Sequence, residues 1–135
     1  MSDKKAVPDK SNPFIAEDSL SDLGLVVEGK KLHVHKMILA TSSPVFKAMF
    51  FPESSTEFKE KNATELPLPG KNYDDVVNFL LQLYPRHNSA PITDKTLEGV
   101  VALADEYQVD HLLDKCELFI ETQLKSPSNL SANRS

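Results

Sequence analysis

His33 and His35 are the first residues whose types and spacing suggest chemistry. They lie two apart in Leu32-His33-Val34-His35, so on a strand both side chains would leave the same face, the minimum geometry for a metal-binding pair. No further pair follows at ligand spacing: His87 and His111 are isolated, and Cys116 is the single cysteine. The expectation is therefore no metal and no cofactor. Cys116 falls on an apolar stripe and is expected to be an inert buried thiol. Asp105, Glu106 and Glu117 read as carboxylates on helix surfaces rather than as an acid/base pair. No nucleophile motif and no glycine-rich phosphate cradle occurs, and the chain has only 4 Gly to build one. An enzyme is excluded on those grounds. One aromatic stands apart. Phe58 sits alone in the charged run from Glu53 to Asn62, with Glu60 two residues on. An aromatic on a charged loop can anchor in a partner's pocket while the carboxylate beside it accepts a charged donor. The other reading open here is that Phe58 folds back on its own core and Glu60 is solvated.

Composition narrows the class of partner. A chain of 135 residues is about one domain's worth. A content of 40% hydrophobic and 26% charged residues is that of a water-soluble globular domain. Net charge of -5 argues against a phosphate-binding surface, which needs clustered Lys and Arg, so no nucleic acid is expected. No apolar run approaches a membrane span, and MSDKKAVPDKSNP lacks the apolar centre of a signal peptide. A lone cysteine fits a reducing compartment, cytosolic or nuclear. No membrane and no small-molecule substrate is expected.

The elements that must position these residues follow from periodicity. Residues 1–13 and 125–135 are polar and read as flexible tails, leaving 14–124 as the folded domain. Leu23, Leu25 and Val27 alternate, Glu28-Gly29-Lys30 supplies a turn, and Leu32 and Val34 resume the alternation, predicting a β-hairpin. Met37 to Leu39 forms a short apolar block, and Ser43 before Pro44 marks the start of a second short helix carrying Val45, Phe46, Met49 and Phe50. Ala63 to Leu68 gives a brief extended stretch. Asn72 is placed to cap a helix with Asp74 and Asp75 in its first turn and Val76, Val77, Leu80 and Leu81 on its apolar face. Thr93 or Asp94 starts the next helix, with Leu97, Val100, Val101, Ala104 and Tyr107 on one face. Asp110 begins the last, whose stripe runs Leu112, Leu113, Cys116, Phe119, Ile120, Leu124. The order is β-β-α-α-β-α-α-α, an α+β domain.

That order, with Asp22-Leu23-Gly24-Leu25-Val26-Val27, Leu32-His33-Val34-His35-Lys36-Met37-Ile38-Leu39-Ala40, Ser43-Pro44-Val45-Phe46 and Ala48-Met49-Phe50, resembles the BTB/POZ family. Leu103-Ala104-Asp105-Glu106-Tyr107 and Leu113-Asp114-Lys115-Cys116-Glu117 look like its last two helices, particularly in the branch that also carries MATH domains. The resemblance implies a small three-stranded sheet flanked by five to six α-helices, a homodimer, and docking of cullin-3 as an adaptor of a ubiquitin ligase complex. It places a cullin anchor at Phe58 and Glu60. It also places Asp22 and Lys36 as a charged pair in the dimer interface, with a structural role favoured over ligand binding. The residues agree with self-association, since two short and nearly all-apolar helices exceed what one small sheet can cover. The expected interface is Phe14, Ile15, Leu20, Met37, Ile38, Phe46 and Met49. The alternative left open is an oligomerisation, scaffold or transcription-regulator module that binds a peptide partner without cullin.

Overall fold

The computed structural model describes residues 12–52 and 63–125. Strand β1 (Leu23–Val27) and strand β2 (Lys30–Val34) form the expected hairpin, with Leu23 opposite Val34 and Val27 opposite Lys30. Both residues between them are left-handed, Glu28 at φ 52° and Gly29 at φ 77°, as a two-residue turn matched to strand twist requires. Glu28 is an unusual occupant of that conformation. Its carboxylate accepts the backbone N–H of Tyr73 at 3.0 Å, tying the turn to a helix start.

Helix α1 (Lys36–Ser42) and helix α2 (Pro44–Phe50) lead to strand β3 (Glu65–Pro67), which returns parallel to β1 and completes a sheet of order β2-β1-β3. Helix α3 (Tyr73–Leu83), helix α4 (Asp94–Glu106) and helix α5 (Asp110–Lys125) follow. The α+β class and three-stranded sheet anticipated from the sequence are present, with five helices among the described residues.

Local chemistry sets the helix starts. Ser43 caps α2 by accepting the Phe46 N–H at 3.0 Å, with Pro44 behind it at the first helical position. The Asn72 side chain accepts the Asp75 N–H at 2.9 Å. Thr93, not Asp94, is the cap of α4, forming a reciprocal capping box with Thr96. Helix α4 ends where Gln108 turns left-handed, φ 56°, and the Val109 N–H reaches back to the Ala104 carbonyl at 2.8 Å.

The core lies between one sheet face, Leu23, Leu25, Val27, Leu32 and Val34, and the helices. Helix α3 is buried further round than its predicted stripe, because Phe79, Gln82 and Leu83 are covered as well. Phe46 lies parallel to Phe50 at 5.8 Å and to Tyr107 at 4.4 Å, joining α2 to the end of α4. Beneath that stack the buried Ser43 hydroxyl donates to the Tyr107 carbonyl at 2.7 Å.

Candidate interaction face

The segment leading into the sheet is built to hold its shape. The Asp18 carboxylate accepts the backbone N–H groups of Leu20 and Ser21, each at 2.8 Å, and the Ser21 hydroxyl donates to the Asp18 carbonyl at 2.9 Å. The same carboxylate meets His35 Nε2 at 3.1 Å. On its other side His35 Nδ1 lies 2.8 Å from the Tyr84 hydroxyl, which also accepts the His35 backbone N–H at 2.9 Å. One assignment satisfies every partner: Nε2–H donates to Asp18, and the Tyr84 O–H donates to Nδ1.

Electrostatics reinforce that assignment. The N–H of Leu20 first, and then His35, hold the Asp18 carboxyl below its ordinary pKa, so it remains an acceptor at neutral pH. Burial pushes the Tyr84 phenol up to about 12 and keeps it a neutral donor. This network is structural: it joins a loop, the start of α1 and the end of α3.

Phe14 pins the other end of the segment. Its carbonyl accepts the His33 N–H at 2.8 Å on the outer edge of β2, and its ring meets Tyr84 edge-on at 4.9 Å. Asn12, placed by the sequence reading in the N-terminal tail, donates to the Tyr73 hydroxyl at 2.9 Å, and its carboxamide oxygen accepts the Phe14 N–H. Between these anchors Ile15 and Leu20 face solvent at 43% and 79% exposure, and Met37 on the first turn of α1 does so at 66%.

Two residues expected at a subunit boundary are instead core residues of this chain. Phe14 and Phe46 are 2% and 1% exposed, held by the ring contacts with Tyr84 and Tyr107. Ile38 and Met49 are partly buried against the same core. The exposed part of the predicted interface is Ile15, Leu20 and Met37.

Asp22 and Lys36 do meet, but the bond between them differs from a simple charge pair. Asp22 accepts the Lys36 main-chain N–H at 2.8 Å and thereby caps α1 from the neighbouring segment. His35, the residue at the cap position, makes no such bond through its side chain. The Lys36 ammonium stands 5.6 Å from the Phe50 ring centroid.

His33 and His35 do not share a strand, because β2 ends at Val34 and His35 turns into α1. Both nevertheless line a groove of about 560 Å³ with Leu20, Ile38, Arg86 and His87. Among the described residues no group of three or more His, Cys, Asp or Glu is placed to hold a metal ion. Cys116 is 2% exposed, and burial raises its thiol pKa against a smaller opposing pull from Lys115. Phe58 and Glu60 lie outside the described residues.

Sequence reasoning missed Lys115. Its ammonium donates to Gln82 Oε1 at 2.6 Å, the Ala90 carbonyl at 2.7 Å and the Asn88 carbonyl at 2.9 Å, fixing the α3–α4 connection against α5. The available signal was a lysine beside the apolar stripe, which is too common to single out.

The comparisons with known proteins agree with this architecture. The family profile of the BTB/POZ domain matches residues 12–124. The chain is 35% identical over 104 residues to BTB and MATH domain-containing protein 38 of Caenorhabditis elegans, covering 77% of this chain and 25% of that protein. It is 35% identical over 116 residues to BTB and MATH domain-containing protein 15 of the same organism, covering 85% and 40%. Kelch-like protein 41a of Danio rerio is 28% identical over 111 residues, covering 82% and 18%. The matched segment thus spans 40% or less of the length of each of these relatives.

Proposed function

Because the chain belongs to the BTB/POZ domain family, a family of protein-interaction modules, we propose that it self-associates and recruits cullin-3 as an adaptor for a ubiquitin ligase complex. The observation that carries self-association is the exposure of Ile15, Leu20 and Met37 beside a rigid network. Large apolar side chains held in one conformation bury surface on association with little further loss of entropy. Cullin recruitment rests on the family, on relatives named as BTB and MATH domain-containing or Kelch-like proteins, and on Phe58-Lys59-Glu60 following α2. In this reading Phe58 fills a cullin pocket and Glu60 faces a basic group beside it. The site of action is a reducing compartment, cytoplasmic or nuclear, where ligase subunits of this kind meet.

Light scattering coupled to size exclusion, with and without the cullin-3 N-terminal domain, tests both parts. A two-chain mass that gains cullin supports the reading. A two-chain mass that gains none leaves the oligomerisation module that binds a peptide partner without cullin. A one-chain mass in every condition contradicts self-association.

A further inference from the structure

Helix α5 leaves part of its apolar arc uncovered. Leu112 and Cys116 are buried and Leu113 and Phe119 pack partly on the core, Leu113 at the edge of the open surface, but Ile120 and Leu124 are 40% and 65% exposed. The sequence stripe continues to Leu124, and the structure covers only its first part. At about 100° per residue, Leu113, Ile120 and Leu124 fall within about 40° of one another, on the flank of the buried stripe. The line from Leu113 to Leu124 is about 16 Å long, the length of three helical turns.

A second feature runs beside it. Asp110, Asp114, Glu117 and Glu121, spaced i, i+4, i+7 and i+11, form an exposed ridge along the outer side of the apolar line. Among the described residues none of the four has an ion-pair partner. Around α5 the order is therefore core, open apolar line, acid.

From this order we infer that α5 docks an amphipathic helix from a partner, with an aliphatic stripe against Leu113, Ile120 and Leu124 and a lysine or arginine flank against the carboxylate ridge. A straight apolar line at helical spacing matches the i, i+4, i+7 anchors of another helix, whereas an extended strand repeats every second residue. The four negative charges select the sign of the flank. A second copy docking by this face would bring the same four carboxylates against these. This surface is separate from the one proposed for self-association and goes beyond that reading.

Two synthetic peptides of about 18 residues test the inference, sharing one leucine stripe and differing in lysine/arginine or glutamate flanks. Their binding to the full chain is read by fluorescence anisotropy at low and high salt. The basic peptide should bind at least tenfold tighter than the acidic one, and lose most of that advantage at high salt. Leu124→Glu should abolish its binding, with the milder Leu124→Ser weakening it and preserving the melting temperature. Leu118→Glu, a control on the far side of the acidic ridge from the apolar line and 63% exposed, should not weaken binding. Glu117→Lys with Glu121→Lys, which leaves two acids and two lysines on the ridge, should remove the preference. Equal affinity for both peptides, binding indifferent to Leu124→Ser, or equal loss in Leu118→Glu would overturn the proposal. A change in oligomeric mass on Leu124→Ser would also overturn it, making a second copy the occupant.

Discussion

Two exposed apolar surfaces differ in their electrical setting. Around Ile15, Leu20 and Met37 two carboxylates are already spent, Asp18 on two backbone N–H groups and His35, Asp22 on the start of α1, which leaves Glu17 as the exposed acid beside them. On α5 the carboxylates beside Ile120 and Leu124 have no described partner. Apolar area supplies affinity on both, while charge decides which partner is tolerated. A face with one open charge and the others internally satisfied can meet its own copy. One flanked by unanswered acid favours a partner of opposite sign. The lesson is that exposure marks a surface for docking, and the state of the neighbouring charges says what docks.

The largest effect should come from testing where core ends and face begins. Phe46→Ala empties the stack with Phe50 and Tyr107 and should cost about 3–5 kcal/mol by denaturant unfolding. A loss below about 1 kcal/mol would return Phe46 to the interface in which the sequence reading placed it.

Next in size is the proposed cullin anchor. Phe58→Ala should weaken cullin-3 binding by about 2 kcal/mol or more, roughly thirtyfold, in calorimetric titration with little change in melting. A fall in melting temperature of core-residue size would instead make Phe58 part of the fold.

Smaller still is the network that stiffens the first face. Tyr84→Phe removes the hydroxyl that donates to His35 Nδ1 and accepts its backbone N–H, and should cost about 1–3 kcal/mol. The same hydroxyl sets an alkaline limit. Tyr84 and Tyr107 are raised from 10.0 to about 12 by burial, so the folded state favours the neutral phenols. Their contribution is whole below pH 10 and is lost as pH climbs toward 12. Melting temperatures followed across that window should fall for the wild type and fall less for Tyr84→Phe; identical slopes would contradict the burial argument. The smallest effect is kinetic. Cys116 should react with thiol reagents only as fast as the fold opens, and rapid stoichiometric labelling at neutral pH would contradict the register of α5.

What was legible in the sequence was local. The hairpin turn at Glu28-Gly29, the Ser43-Pro44 helix start and the Asn72 cap all depend on residues within a few positions of one another, where spacing and side-chain chemistry suffice. Periodicity also identified the apolar faces, but it does not say what covers them. Phe14 and Phe46 were therefore assigned to an interface when rings from distant segments cover them, and Ile120 and Leu124 were assigned to a stripe that the fold leaves open. The Asp18–His35–Tyr84 network spans residues 49 and 17 positions apart and has no local signature. Gly99 is a similar case. A β-carbon there would run into the Asp75 carboxylate, so the glycine permits α4 to approach α3, which only the packing reveals.

The central claim is that Ile15, Leu20 and Met37 form a face for a second copy. Size-exclusion light scattering of the wild type, Met37→Glu and Leu20→Glu tests it most directly, with circular dichroism confirming that each variant folds. The account predicts twice the 15.0 kDa chain mass for the wild type and a single chain mass for both folded variants. A two-chain mass that survives both substitutions, or a wild type of one chain mass, would contradict it.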